Sequence, residues 1–240
     1  MGGESETDLT ALLHETADSW GIPIPSGAVS RIIRHFQLVH AENQRVNLIG
    51  LRHEDLRVQF IRLVLDAVSA AMVVGDRGAA VDIGSGAGFP GLTLALLHPV
   101  QTWTLVEATQ KKAAALERMI DSLGTHNVSV VAQRAEVWAH QDRATFQWAT
   151  VRAVGSLGLI SELAAPMLAK GGTLVAMRGP AGRDEVRVAQ LALQTLGLRA
   201  GTVQELELPE GQGTRTLVQL EKTAATPARF PRTGRALGRF

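Results

Sequence analysis

Val81-Asp82-Ile83-Gly84-Ser85-Gly86-Ala87-Gly88-Phe89-Pro90-Gly91 is the stretch whose reading decides the fold. The apolar run ending at Ile83 reads as a short buried strand that stops in a glycine loop. Pro90 opens a helix at a position where its missing N–H costs nothing. Strand, glycine turn and helix in that order form the ligand-binding corner of an open α/β sheet, where ligands settle beyond the carboxyl ends of the strands. Glycines there let a ligand approach the backbone without Cβ clashes, and the N–H groups of the following helix favour a carboxylate or phosphate.

Outward from this loop the alternation continues. Residues 102–108, 128–133, 147–153 and 173–178 read as strands, the last introduced by a turn at Gly171-Gly172. Residues 110–123, a stretch ending at Leu168, and 184–196 read as helices. Residues 202–208 and 214–221, joined by a Pro/Gly loop, read as a closing antiparallel hairpin. Upstream, Val29, Ile32, Ile33, Phe36 and Val39 form an apolar stripe at helical spacing behind Ser26 as N-cap, and a second helix runs from about 54 to 74. Arg31, Arg34 and His35 are assigned to the solvated face of the first of these helices. The expected fold is α/β, a doubly wound, mostly parallel sheet with a helical N-terminal addition and an antiparallel C-terminal hairpin. Its divisions are a helical region 1–75, a ligand-binding domain 76–222 and a basic tail 223–240.

Two cofactors compete for the loop. From Gly86 the sequence satisfies G-x-G-x-x-G, which suggests a dinucleotide. The strand ends at Ile83, however, so the turn begins at Gly84, and counted from there the sixth position is Phe89. Asp82, at the strand end, suits the ammonium group of S-adenosylmethionine, directly or through water, and would repel a pyrophosphate. Glu107 closes the next strand, where a carboxylate can accept both ribose hydroxyls of either cofactor. The reading is therefore a sheet of the S-adenosylmethionine-dependent methyltransferase type, with Asp82, Gly84, Ser85, Gly86, Gly88 and Glu107 at the cofactor. Arg134-Ala135-Glu136 follows the third strand near the adenine end, and Arg152 ends the fourth beside the switch point of the sheet. Arg152 is read either as a functional group where the methyl is transferred or as a structural ion-pair partner.

Composition narrows the setting. The chain has 240 residues, 45% hydrophobic and 20% charged, which fits one α/β domain with a helical addition. The longest apolar stretch, around 67–75, falls short of the ~18 residues a bilayer span needs. The acidic start lacks a secretory signal's basic and apolar segments, and no cysteine is available for disulfides, thiolate ligands or nucleophilic catalysis. The expectation is a cytoplasmic, metal-free enzyme, with a monomer favoured and no membrane partner. Net charge is only +1, yet four arginines (Arg229, Arg232, Arg235, Arg239) and no acid follow Lys222. That tail reads either as a phosphate contact or as a solvated, disordered end; in neither case should it affect the cofactor.

With these residues assembled, the chain resembles the bacterial small-subunit ribosomal RNA guanine-N7 methyltransferases, the glucose-inhibited division protein B family. The matching pieces are Asn47-Leu48, the loop from Asp82 to Gly91, Leu105-Val106-Glu107 with Lys111-Lys112, Arg134-Ala135-Glu136, Arg152-Ala153 and Pro231-Arg232. The resemblance implies cofactor positions at Gly84, Phe89, Ala135, Glu136 and Arg152, and a ribose edge at Glu107, Ala108 and Thr109. It implies 16S ribosomal RNA, in the small subunit or an assembly intermediate, as partner. Three departures stand out: Leu63-Val64-Leu65-Asp66-Ala67 where the family has His-x-x-Asp-Ser, Arg178-Gly179 for Lys-Gly, and Asn47-Leu48-Ile49 for Asn-Leu-Thr.

The activity implied is methyl transfer to guanine N7 by in-line displacement with no general base, Arg152 orienting the reactants. Competing readings are methylation of another RNA position, a small molecule or a protein, a dinucleotide-dependent oxidoreductase, and a catalytically silent RNA-binding protein.

Overall fold

The computed structural model describes residues 5–50 and 54–240. Seven strands form one sheet in the order β3-β2-β1-β4-β5-β7-β6. They are β1 Ala80–Ile83, β2 Trp103–Val106, β3 Val128–Val131, β4 Phe146–Arg152, β5 Leu168–Arg178, β6 Leu198–Glu207 and β7 Thr214–Lys222. The first five pair in parallel, while β7 runs antiparallel to both β5 and β6. The doubly wound sheet with a closing antiparallel hairpin is thus as the sequence implies. Among the described residues no helix is long and apolar enough to cross a membrane.

Side chains alternate across the sheet, and each face has its own core. Ala80, Trp103, Leu105, Val175 and Met177 face the layer of α1 Glu6–Ser19, α2 Ala28–Asn43, α5 Gly91–Leu97 and α6 Gln110–Leu123. Val81, Ile83, Val106, Val151, Leu174 and Ala176 face the layer of α8 Leu157–Ala164 and α10 Gln190–Leu196. The N-terminal helices share the first core rather than standing apart: Leu13, Ile32, Phe36 and Phe60 pack there with Leu92 and Leu116. Buried Glu42 of α2 also clamps Arg118 of α6 at 3.1 and 2.6 Å.

The expected helix over 54–74 is a chain of short pieces: α3 Leu56–Phe60, a π-helical turn Ile61–Leu65, α4 Asp66–Ser69 and a 3-10 turn Ala70–Met72. The segment is predominantly apolar, and from Gln59 to Ala70 every residue but Arg62 is buried.

Several expectations are corrected. Gly27, in a left-handed conformation, occupies the cap of α2, so Ser26 does not cap it. His35 is fully buried rather than solvated; Arg34 alone of its trio is exposed. Helix α8 stops at Ala164 because Pro166 cannot be accommodated in a continuing helix, and Leu168 already begins β5. Gly171-Gly172 lies inside β5, where the register with β4 shifts between Phe146 and Trp148. The helix expected over 184–196 breaks at Ala189 into α9 Gly182–Val188 and α10. Finally, the residues after β7 are not a free end: Phe230 is buried, and Arg232 pairs with Glu162 of α8.

Candidate functional site

Register brings the site together. Ile83 is level with Val106 on one side and Val151 on the other. The next residues, Gly84, Glu107 and Arg152, therefore leave the sheet side by side at its carboxyl edge, at the switch point between β1 and β4. Gly84 and Ser85 donate their N–H groups to Val106 O at 2.8 and 3.2 Å, which curls the loop over the end of β2. Gly84, Gly86 and Gly88 all take positive φ.

Three acceptors set the loop's shape. Glu107 accepts from the Gly86 N–H at 3.0 Å and the Thr109 N–H at 2.7 Å, so one carboxylate ties the loop to the start of α6. Asp82 is 1% exposed; it accepts from the Thr150 hydroxyl at 2.7 Å and the Gly91 N–H at 3.2 Å. Burial raises its carboxyl above the ordinary range, opposed by those hydrogen bonds and by the Arg152 charge. Asp82 thus braces the loop from beneath instead of offering a free face to a ligand. Gly91 permits that brace, because a Cβ there would lie 2.5 Å from Asp82 Cβ and from a Leu105 methyl. The third acceptor is Ala87 O, which receives a hydrogen bond from His35 Nε2 at 2.9 Å.

His35 was not legible as a site residue. It reaches the loop from α2, and its ring packs on Phe89 with centroids 4.5 Å apart. Gly88 leaves room for it: a Cβ there would sit 2.9 Å from His35 Nε2. Burial depresses the imidazole to about 4, so the ring is neutral at physiological pH. Its Nδ1 has no hydrogen-bond partner among the described residues. The usable signal was its spacing: Ala28, Ile32, His35 and Val39 form a helical stripe.

Two hollows flank the row. One, of about 200 Å³, is lined by Ile83, Gly84, Val106, Ala108, residues 133–136, Val154 and Leu159, together with Leu163 and Leu237. Its walls are mostly apolar, and Ala135 and Glu136, two of the residues expected at the cofactor, line it. Arg134 forms an ion pair with Glu136 of the short helix α7 Ala135–Trp138. The other, about 530 Å³, opens beyond β4 and β5 and is lined by Arg62, Asp66, Arg152, Arg178 and Arg215 with Leu63, Ala153, Met177 and Gly179.

Arg152 lines the second of these hollows. Its guanidinium lies 5.6 Å from the Phe89 ring centre and donates to Asp66 at 3.2 Å and to the Leu63 carbonyl at 3.3 Å. Asp66, 5% exposed, accepts Arg215 Nε on its other oxygen at 3.1 Å. Arg152 is therefore both an ion-pair partner and part of the cleft wall. Asp66 and Arg215 were missed as site residues. An acid embedded in the apolar run Leu63-Val64-Leu65-Asp66-Ala67 was the available signal, since a buried charge needs a partner.

Known proteins resemble this chain over most of its length. A family model described as rRNA small subunit methyltransferase G matches residues 28–217. The Ribosomal RNA small subunit methyltransferase G of Roseiflexus castenholzii is 40% identical over 223 residues, 92% of this chain and 94% of that one. The protein of the same description from Symbiobacterium thermophilum is 35% identical over 94% of this chain and 95% of its own. Among solved structures, a SAM-dependent methyltransferase from Aquifex aeolicus superposes with a TM-score of 0.52 at 15% identity, covering 76% of this chain and 98% of that chain. M. jannaschii TYW2 in complex with AdoMet gives 0.51 at 12%, covering 62% of this chain and 71% of that chain. At such identities the likeness to these structures is one of fold.

Proposed function

Because the chain belongs to the rRNA small subunit methyltransferase G family, a family of S-adenosylmethionine-dependent methyltransferases, we propose that it methylates N7 of a guanine in 16S ribosomal RNA, in the cytoplasm, on the small subunit or an assembly intermediate. One observation carries the finer reading. The cleft beside the glycine loop is lined by four arginines and one acid: Asp66 is held between Arg152 and Arg215, while Arg62 and Arg178 pair with Glu54 and Glu185 outside the lining. Four guanidiniums against three carboxylates leave the cleft net positive, which favours a phosphate-bearing substrate, and among the described residues its lining offers no unpaired base.

The absence of a base suits the acceptor. Guanine N7 carries a lone pair and no proton at neutral pH, so its methylation is a displacement in which nothing must be deprotonated. Bound S-adenosylmethionine would supply the methyl group on its sulfonium. Ile83, Val106, Ala135 and Leu159 would hold the adenine by apolar contact, and Glu107 would accept the ribose hydroxyls. The loop Gly84, Ser85, Gly86, Gly88, braced by Asp82 and packed on Phe89, would hold the methionine end. Ala108, Thr109 and Glu136 complete the rim. Arg152, fixed by Asp66, would orient the nucleotide through its phosphate or O6 and leave N7 open to attack. Positioning and electrostatic matching then account for the rate.

The test is labelled S-adenosylmethionine with small subunits and free 16S RNA from a strain lacking the modification, followed by chain scission specific for N7-methylguanine. The expected result is one label at one guanine N7, with no base-like step in the rate between about pH 6 and 8. Label at another atom would overturn the N7 reading, and no label in RNA would overturn the RNA reading.

A further inference from the structure

We propose that the C-terminal segment is a cofactor-binding element: through Leu237 it supplies a wall of the adenosine hollow. The proposal rests on the S-adenosylmethionine reading of that hollow. Leu237 lines it together with Gly84, Ala135, Glu136, Val154, Leu159 and Leu163. It is only half-buried, so part of its apolar surface remains for a ligand to cover.

A side chain near a chain end can serve a binding site only if its backbone is held, and this one is held at several points. Glu162 on α8, itself fully buried, accepts four hydrogen bonds from the segment. They come from Arg232 N at 2.7 Å, Arg232 Nε at 2.9 Å, Arg232 Nη2 at 2.8 Å and Gly238 N at 2.8 Å. These donors bracket Leu237 on both sides. Burial by itself would raise the Glu162 carboxyl, yet its hydrogen bonds and the Arg232 charge leave it below the ordinary range. Upstream, Arg143 donates to Phe230 O at 2.7 Å and Thr226 O at 2.8 Å. The Phe230 and Phe240 rings stack at 5.9 Å, and the Arg232 guanidinium lies within 4.9 and 4.6 Å of their centres. Gly238 runs so close to α8 that a Cβ would lie 3.0 Å from Leu159 Cβ, and Leu159 lines the same hollow.

The chemistry of the wall specifies which part of the cofactor it meets. Leucine against a planar base gains by excluding water and forms no directional bond, so Leu237 serves the adenine end. The methionine end lies with the glycine loop. Loss of Leu237 should therefore weaken every adenosine-bearing ligand by the same factor.

The experiment is calorimetry of the full chain, Leu237→Ala, Leu237→Met and a chain ending at Thr233, each titrated with S-adenosylhomocysteine and with methylthioadenosine. Leu237→Ala keeps the whole Glu162 latch and so controls for any loss of folding in the shortened chain. Expected is about a tenfold weaker Kd for both ligands in Leu237→Ala, at least as much in the shortened chain, and near-normal binding by Leu237→Met. Unchanged affinity in Leu237→Ala would overturn the proposal. So would a loss confined to S-adenosylhomocysteine, since it would place Leu237 away from the adenine. If the full chain binds neither ligand, the cofactor reading itself fails, and the proposal with it.

Discussion

His35 is a neutral imidazole sealed between α2 and the glycine loop, and its titration should be visible in the stability of the whole chain. Its pKa falls from 6.5 to about 4 on burial. A depressed pKa contributes stability that is complete above the unfolded value and is lost as pH falls toward the folded one. Between pH 7 and 5 this amounts to about 2 kcal/mol. His40 and His98 are also depressed by burial and act with the same sign. Glu42 and Glu162, held low by their arginine partners, contribute below that window, since carboxylates lose their share only as pH drops under about 4.5. His35→Gln keeps a donor for Ala87 O while removing the titration. Urea unfolding at both pH values should therefore show a shallower dependence in the variant; equal dependence would mean that His35 is not buried neutral. Arg152 offers a second test at this scale. Arg152→Ala should lower turnover at least ~100-fold, and Arg152→Lys should recover little, because an ammonium lacks the forked geometry. It should also destabilise by about 1–3 kcal/mol, since Asp66 keeps Arg215 but loses one donor. A lower melting temperature with normal turnover would make Arg152 structural only.

Elements that looked peripheral along the chain turn out to frame the site. Helix α2 carries His35 to the loop, and the broken helix after it carries Asp66 to Arg152. The C-terminal segment divides its arginines between two tasks. Arg232 is tied to Glu162, whereas Arg229, Arg235 and Arg239 remain exposed. If the exposed ones meet RNA phosphates, Arg235→Ala with Arg239→Ala should flatten the salt dependence of RNA affinity by about 1–1.5 log units per log of salt. Cofactor affinity should stay unchanged in the same protein, because Leu237 and its latch are intact. Filter binding across a salt series reads the slope, and an unaltered slope would remove these two side chains from the RNA surface.

For the molecule as a whole, what could be read along the chain was whatever depends on neighbours in sequence. Ile83 followed by Gly84, Gly86 and Gly88 announces a strand, a turn and a ligand without reference to distant residues, and Glu107 marks the next strand end by the same logic. Alternating strands and helices then imply parallel pairing on handedness and packing grounds. Strand limits drifted by a few residues; Gly171-Gly172 falls in the irregularity between the Phe146–Leu168 and Trp148–Thr173 pairs, so the strand begins before the turn and its regular pairing resumes at Thr173. His35 meets Ala87 across 52 residues, Arg152 meets Asp66 across 86, and Gly238 meets Glu162 across 76. The sequence by itself thus determined the fold class and the glycine loop, which local periodicity and backbone freedom encode; the cofactor followed from the family resemblance, because Asp82, read as the partner of its ammonium group, is a brace beneath the loop. Only the tertiary structure decided that a histidine is a loop brace, that an arginine is locked to a buried acid and that a basic tail is latched onto α8. Those outcomes depend on which faces meet when two cores close around one sheet, and desolvation fixes a charged or polar group's role only after that closure.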